Sequence, residues 1–226
     1  MKHLLKLAKF KLTLMFNSSD GYQIIKKEIG SLLRIYGFLP YKTATYYRVT
    51  DGDILQFIMF QKGERWLSGA MTVNIVIQGV FAPGCSFNIL QPGGRIGSML
   101  NPPKDVWWHC DSESSAASSV DAIKQVVVEK LIPFFENRST AGKLFNDFDG
   151  SNPSFLWTPK STFVDQGYIC LKAGQYDTAI NIFEANQISK VPKFKTIKRL
   201  IEDFRFTEID HILVENTRYH KESLKI

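Results

Sequence analysis

Cysteine is scarce in this 226-residue chain, which has only Cys85, Cys110 and Cys170. An odd count without short spacings excludes a disulfide framework and a cysteine-based zinc site, and it points to a reducing cytoplasm. The four histidines, His3, His109, His211 and His220, include no His-x3-His pair, so no metal and no cofactor is expected. Walker-type and Rossmann glycine spacings are missing, which removes two common phosphate cradles. No uncharged apolar run approaches the ~18 residues of a transmembrane helix. What is present, 44% apolar and 22% charged residues, is the composition of a chain that buries a core rather than a disordered one.

Positive charge is concentrated rather than general. The formal charge is +6, from 28 Lys+Arg against 22 Asp+Glu. Lys2, Lys6, Lys9 and Lys11 stand in an N-terminal stretch without an acid, and Lys190, Lys193, Lys195, Lys198 and Arg199 form a second such stretch. The rest of the chain is mildly acidic. Residues 1–16 read as a basic tail, or as a start site placed too early if translation begins at Met15. The apolar run after Lys11 is too short for a signal peptide.

Patterning gives the elements. Asn17-Ser18-Ser19-Asp20 offers caps for a helix carrying Tyr22, Ile25, Ile29 and Leu33, ending near Gly37. Tyr46–Thr50 and Ile54–Phe60 flank Asp51-Gly52, which predicts a hairpin on a type I′ turn. The second of these strands is apolar on both faces and is expected to be central. Residues 71–78 alternate with period two, which predicts a half-buried strand. Phe87–Leu90 is a further short strand, and residues 91–105 read as a long Gly/Pro-rich loop. Val120, Ile123, Val127, Leu131 and Phe134 mark a helix that Pro133 is expected to kink or end. Ser139 is expected to cap a short helix. Asp149–Pro153 is turn chemistry and the best domain boundary. Beyond it, helices are expected from Ser161 to Gly174, from Asp177 to Gln187, over 194–204, and after Thr207, which with Asp210 resembles a capping box. The expectation is therefore an α+β domain over 17–150, an antiparallel sheet with flanking helices, and an all-helical appendage over 151–226.

Few residues carry recognisable chemistry. Cys85 and His109 would give a thiolate and a base if the fold brought them together. Asp51, Asp53, Glu64 and Lys62 invite a metal-dependent nuclease reading, but Phe60 stands where that chemistry needs an acid. Gly93-Gly94-Arg95-Ile96-Gly97 could present N–H groups and a guanidinium to an anion, or be a turn packed under Trp107 and Trp108. On a strand, one of those two tryptophans points inward and the other outward. The polar positions Thr72, Asn74 and Gln78 would share a face with such a surface if the sheet left it uncovered.

Phe60-Gln61-Lys62, Thr72-Val73-Asn74, Arg95-Ile96-Gly97 and Asp105 before Trp107-Trp108, with Gly37-Phe38 ahead of them, stand in the order of a bacterial domain-of-unknown-function family, and the chain resembles it from the first helix to about residue 150. The resemblance implies an α+β fold and no activity. Residues 161–192 resemble one tetratricopeptide repeat through Phe163, Gly167, Gly174, Tyr176, Ala179, Ile180 and Phe183, departing from it at Gln166 and Cys170. A solenoid needs three or more such units, so a small hairpin-bearing appendage is expected.

The leading expectation is a non-enzymatic binding module with a protein partner, contacted through Asn74, Arg95, Gly97, Trp107 and Trp108. Within that class the reading extends to a bacterial defence or toxin-neutralising role. The rival is nucleic-acid association through Lys193, Lys195, Lys198 and Arg199, where positive charge at a helix start opposes the dipole. An enzyme of unassigned chemistry comes third.

Overall fold

The computed structural model describes residues 16–87, 93–147, 163–186 and 188–226. The expected basic tail, the start-site question at Met15, the strand past Phe87, the Asp149–Pro153 boundary, the Ser161 helix start and Gln187 lie outside the described residues.

Helix α1 spans Ser18–Ile35 and opens on a capping box. The Asn17 side chain accepts from the Ser19 and Asp20 N–H groups at 2.8 and 3.3 Å, and Asp20 accepts from the Asn17 N–H at 3.0 Å. Its apolar face, Tyr22, Ile25, Ile29 and Leu33, is buried. The chain then enters β1 (Leu39–Tyr41), β2 (Thr45–Val49), β3 (Ile54–Lys62) and β4 (Ala70–Gly79), all antiparallel neighbours. β3 pairs with β4 from Ile54↔Gly79 to Lys62↔Met71, which makes β3 central as expected. The far edge of β4 is shared by β5 (Gly93–Arg95) and β6 (Trp108–His109). The loop expected over 91–105 therefore contains a strand.

The β2–β3 turn differs from expectation. Gly52 does not take a positive φ; Asp53 does, at +57°, and its N–H donates to the Thr50 carbonyl at 3.0 Å. A type I turn followed by a left-handed residue explains this geometry. Asp53 is held there by an ion pair to Lys221 at 2.7 Å.

After Ser112, which caps it, α2 (Glu113–Val126) continues through a π segment, Val127–Leu131, into α3 (Ile132–Glu136). Pro133 thus neither ends nor sharply breaks the helix. Proline removes one helical N–H and crowds the preceding turn, and the wider π spacing just before it absorbs both effects. The inserted residue also rotates the apolar stripe, so Ile132 and Phe135 are buried while Phe134 is only half-buried. Thr140, not Ser139, caps α4 (Ala141–Phe145), accepting from the Lys143 N–H at 3.3 Å.

The helix-side face of the sheet, with Ile54, Ile58, Met71, Val73, Ile75 and Ile77, packs under α1 and α2. The opposite face was expected to be half-open along β4, yet Thr72, Val76 and Gln78 are buried. A second apolar cluster explains the difference at Val76 and Gln78: Leu55, Phe57 and Val76 lie beneath Val80, Cys85 and Phe87, joined by Leu224 and Ile226 at and just past the end of the last helix. Gln78 is satisfied there by Ser86, donating to its carbonyl at 2.6 Å and accepting from its N–H at 3.1 Å.

The C-terminal part is helical: α5 (Phe163–Lys172), α6 (Tyr176–Glu184), α7 (Phe194–Glu202) and α8 (Phe206–Leu224). Its buried residues, among them Phe163, Tyr168, Phe183, Ile197 and Leu213, join the helix-side core. α8 also grips the β4–β5 connection through Asn216 to the Phe81 carbonyl at 3.0 Å and His220 Nδ1 to the Val80 carbonyl at 2.9 Å. The capping box expected at Thr207 does not form, since α8 begins at Phe206 with no side-chain cap.

The turns of the two helical hairpins superpose in hydrogen bonding thirty residues apart. Gly174 and Phe204 donate to Leu171 and Ile201, at 3.1 and 3.0 Å. Gln175 and Arg205 donate to Cys170 and Leu200, both at 2.8 Å. Gly174 and Phe204 both hold a positive φ, +74° and +56°. Burial repeats likewise: Gly167 with Ile197, Cys170 with Leu200, Ala179 with Ile209, Phe183 with Leu213.

Candidate functional site

Strand β5 places Arg95 directly opposite Asn74 on β4, so both lie on the same face of the sheet. A 3-10 turn, Ile96–Met99, follows at once. Ile96 enters the core, and the Gly97 carbonyl accepts from the Leu100 and Lys104 N–H groups, each at 3.2 Å. A Cβ at Gly97 would lie 2.3 Å from the Lys104 carbonyl oxygen, so only glycine lets the two segments touch. That closure returns the chain beside its start and sets Asp105 against Arg95.

Three side chains meet there. Arg95 Nη1 donates to Asp105 Oδ2 as an ion pair, and Trp107 Nε1 donates to the same oxygen at 3.3 Å. The Arg95 guanidinium sits 4.9 Å from the Trp107 ring centre, within cation–π range. The pair remains accessible, with side-chain exposures of 35% for Arg95 and 55% for Asp105. Asn74 adjoins through its register with Arg95 and donates to Gln61 Oε1 at 2.9 Å. The C-terminal cluster covers this face of the sheet at Leu55, Phe57 and Val76, whereas Met59, Gln61 and Asn74 stay half-buried.

Among the expected contact residues, the structure brings Asn74, Arg95, Gly97 and Trp107 together and sends Trp108 elsewhere. Trp108 is 8% exposed and belongs to the helix-side core. The alternation foreseen for the two tryptophans holds, with His109 outward and Cys110 inward after them. In the sequence, Asp105 stands out only as part of an ordered motif. Its role was legible in retrospect from its place two residues before a tryptophan, at the close of a loop that begins with an arginine.

The basic helix start is less free than its sequence implies. Lys198 is bound to Glu184 at 2.6 Å and Lys193 lies 3.8 Å from Glu215. Lys195 and Arg199 are exposed. Lys193 holds a left-handed φ of +57° immediately before α7.

Cys85 and His109 do not meet. His109 pairs with Ala70 at one end of β4, while Cys85 packs with Val76 and Val80 toward the other, about 20 Å away along a strand rising ~3.4 Å per residue. Burial first, and the Asp165 charge second, push the Cys85 thiol up to about 12, which keeps it protonated. Asp165 is itself buried in the first turn of α5, and burial raises its carboxyl to about 7. Its Oδ1 has no hydrogen-bond partner among the described residues.

Residues 29–137 match the family model described as "Domain of unknown function (DUF4304)", a stretch running from the second half of α1 through the sheet to the end of α3. No curated protein and no solved structure matches the chain. Among the described residues, no helix is long and apolar enough to cross a membrane.

Proposed function

We propose that the protein is a non-enzymatic binding module that engages a protein partner through the Arg95–Asp105–Trp107 ledge, with Asn74 at its border. The observation that carries this reading is the stacking of an accessible arginine on a half-buried tryptophan, both fixed by one carboxylate. Arginine and tryptophan contribute most to binding when held rigidly, because little side-chain entropy is then lost on contact. The ledge sits on the sheet's edge and a glycine-closed turn, which keeps that geometry in the unbound protein. A defence or toxin-neutralising role would be one use of such a surface.

A nucleic-acid reading would rest mainly on Lys195 and Arg199, since Lys193 and Lys198 are near or against carboxylates. The ledge is accordingly the better supported surface.

The test pairs capture from the native host with calorimetry on the recovered partner, comparing wild type with Trp107→Ala and Arg95→Ala. Each variant should weaken binding by at least ~1 kcal/mol. Trp107→Ala should leave thermal unfolding nearly unchanged. Trp108→Ala should instead destabilise the protein by about 3–5 kcal/mol, the range for emptying a large aromatic site in a core. Unaltered binding by both ledge variants would refute the proposal. A binding constant that falls steeply with salt and ignores Trp107 would favour phosphate recognition.

A further inference from the structure

The junction of the two C-terminal hairpins encloses a cavity of about 500 Å³ on the surface, separate from the ledge. Tyr176 and Phe206, which open α6 and α8, stack face to face with ring centres 4.4 Å apart and planes 7° from parallel. Phe204 stands across Phe206 at 87°, its ring centre 6.1 Å away. Gly174, Gln175, Thr178 and Ile201 complete the wall. Among the described residues, the charged side chains lining the space are two carboxylates, Asp177 and Glu202, both exposed. The nearest cation in the adjoining hollow is Lys198, and Glu184 already holds it at 2.6 Å.

Phe204 is the anomaly. It is 80% exposed and holds φ +56°, a conformation that opposes an L side chain. Its counterpart thirty residues earlier, Gly174, makes the same turn without that strain and without an exposed ring. A phenylalanine here costs backbone strain and leaves apolar surface in water, and it adds nothing to the core. What it does add is an aromatic wall to the cavity.

We propose that this cavity receives the cationic side chain of a lysine or arginine on a partner polypeptide. Aromatic faces attract a cation through their quadrupole, and the two carboxylates supply the opposite charge. A third carboxylate, Asp210, acts on Tyr176 as well. Burial, and after it the charge of Asp210, raise the Tyr176 hydroxyl above its ordinary range. An anionic occupant would meet the repulsion of Asp177 and Glu202, of which only Glu202 faces a cation of the adjoining hollow, Lys198, already bound to Glu184. The inference does not depend on the ledge, and either surface can fail alone.

The test uses the full chain and short capped peptides carrying one central Lys, Arg, norleucine or Glu, followed by amide and aromatic chemical shifts. The Lys and Arg peptides should shift Tyr176, Phe204 and Phe206 resonances, while norleucine and Glu peptides should not. Phe204→Gly should weaken the cationic peptides roughly fivefold, in line with a cation–π contact near the surface, and leave the unfolding temperature unchanged or raised. Glu202→Gln should weaken them similarly without loss of fold. Equal binding of the norleucine peptide would overturn the proposal in favour of an apolar docking groove. So would concentration-dependent broadening of the same resonances without peptide, which would assign the cavity to a second copy of the chain. Unchanged affinity in both variants would overturn it as well.

Discussion

The α5–α6 and α7–α8 hairpins share one backbone plan and differ at three matched places. In the interior, Gly167 lies against Phe183 in the first hairpin, and Ile197 and Leu213 hold the same positions in the second. In the first turn of the leading helix, a buried Asp165 is matched by an exposed Lys195. At the connection, Gly174 is matched by Phe204. The interior difference sets a glycine under a large ring in one hairpin against two buried aliphatic side chains in the other, two ways of filling a dense core. The other two are departures from what the fold alone would select, since a buried carboxyl whose Oδ1 has no partner among the described residues and an exposed strained aromatic both cost stability.

The largest effect should come from removing the buried carboxyl. The Asp165 carboxyl stands near 7 when folded, against an ordinary value of 3.8. The native state therefore holds the proton more tightly than the unfolded chain does. The stability this contributes is fully present below about pH 4 and is lost as the pH rises through about 7. Denaturant unfolding should show the wild type losing on the order of 3 kcal/mol from pH 4 to 8 relative to Asp165→Asn. Parallel pH curves for the two proteins would mean that this site is no different in kind from Lys195.

A smaller effect is expected in the interior. A Cβ at Gly167 would fall 2.0 Å from Phe183 Cε1, and Phe183 is fully buried with nowhere to retreat. Gly167→Ala should cost about 1–3 kcal/mol. If the hairpins trade volume, adding Phe183→Leu should recover part of that loss by moving the pair toward the Ile197/Leu213 solution. A double variant less stable than both single ones would break the comparison.

The smallest effect belongs to the connection. Phe204→Gly should stabilise the protein by about 1 kcal/mol through relief of the left-handed strain, and Gly174→Phe should lose a similar amount or more. Thermal unfolding of the pair checks both signs. A destabilised Phe204→Gly would show that the ring contributes to folding rather than to the cavity.

Much of the fold was legible because local physics fixed it. The capping box at Asn17 and Asp20, the period-two run over 71–78 and the apolar stripe of α1 each depend on neighbours in sequence. The ledge is partly legible in the sequence: Arg95 and Trp107 stand out there, and alternation along the chain separates Trp107 from Trp108 without saying which is buried. Asp105 as their common partner is not legible, because that contact depends on how the 96–105 turn closes. The cavity between the hairpins escaped entirely, since Gly174 and Phe204 show no likeness as residues and are equated only by their hydrogen bonds.

The sequence by itself determined the element order, the central place of β3, that Trp107 and Trp108 take opposite sides, though not which side each takes, and the glycine at the α5–α6 turn. All of these follow from periodicity, caps and backbone preference within a few residues. Only the tertiary structure decided that both faces of β4 are covered, that Asp53 rather than Gly52 takes the left-handed turn, that Pro133 is absorbed by a π segment, and that Lys193 and Lys198 have carboxylates beside them. These depend on residues far apart in the chain, or on the room a neighbouring turn leaves. A chain end that returns at Leu224 and Ile226 to cover a strand near residue 76 leaves no mark on that strand's own alternation.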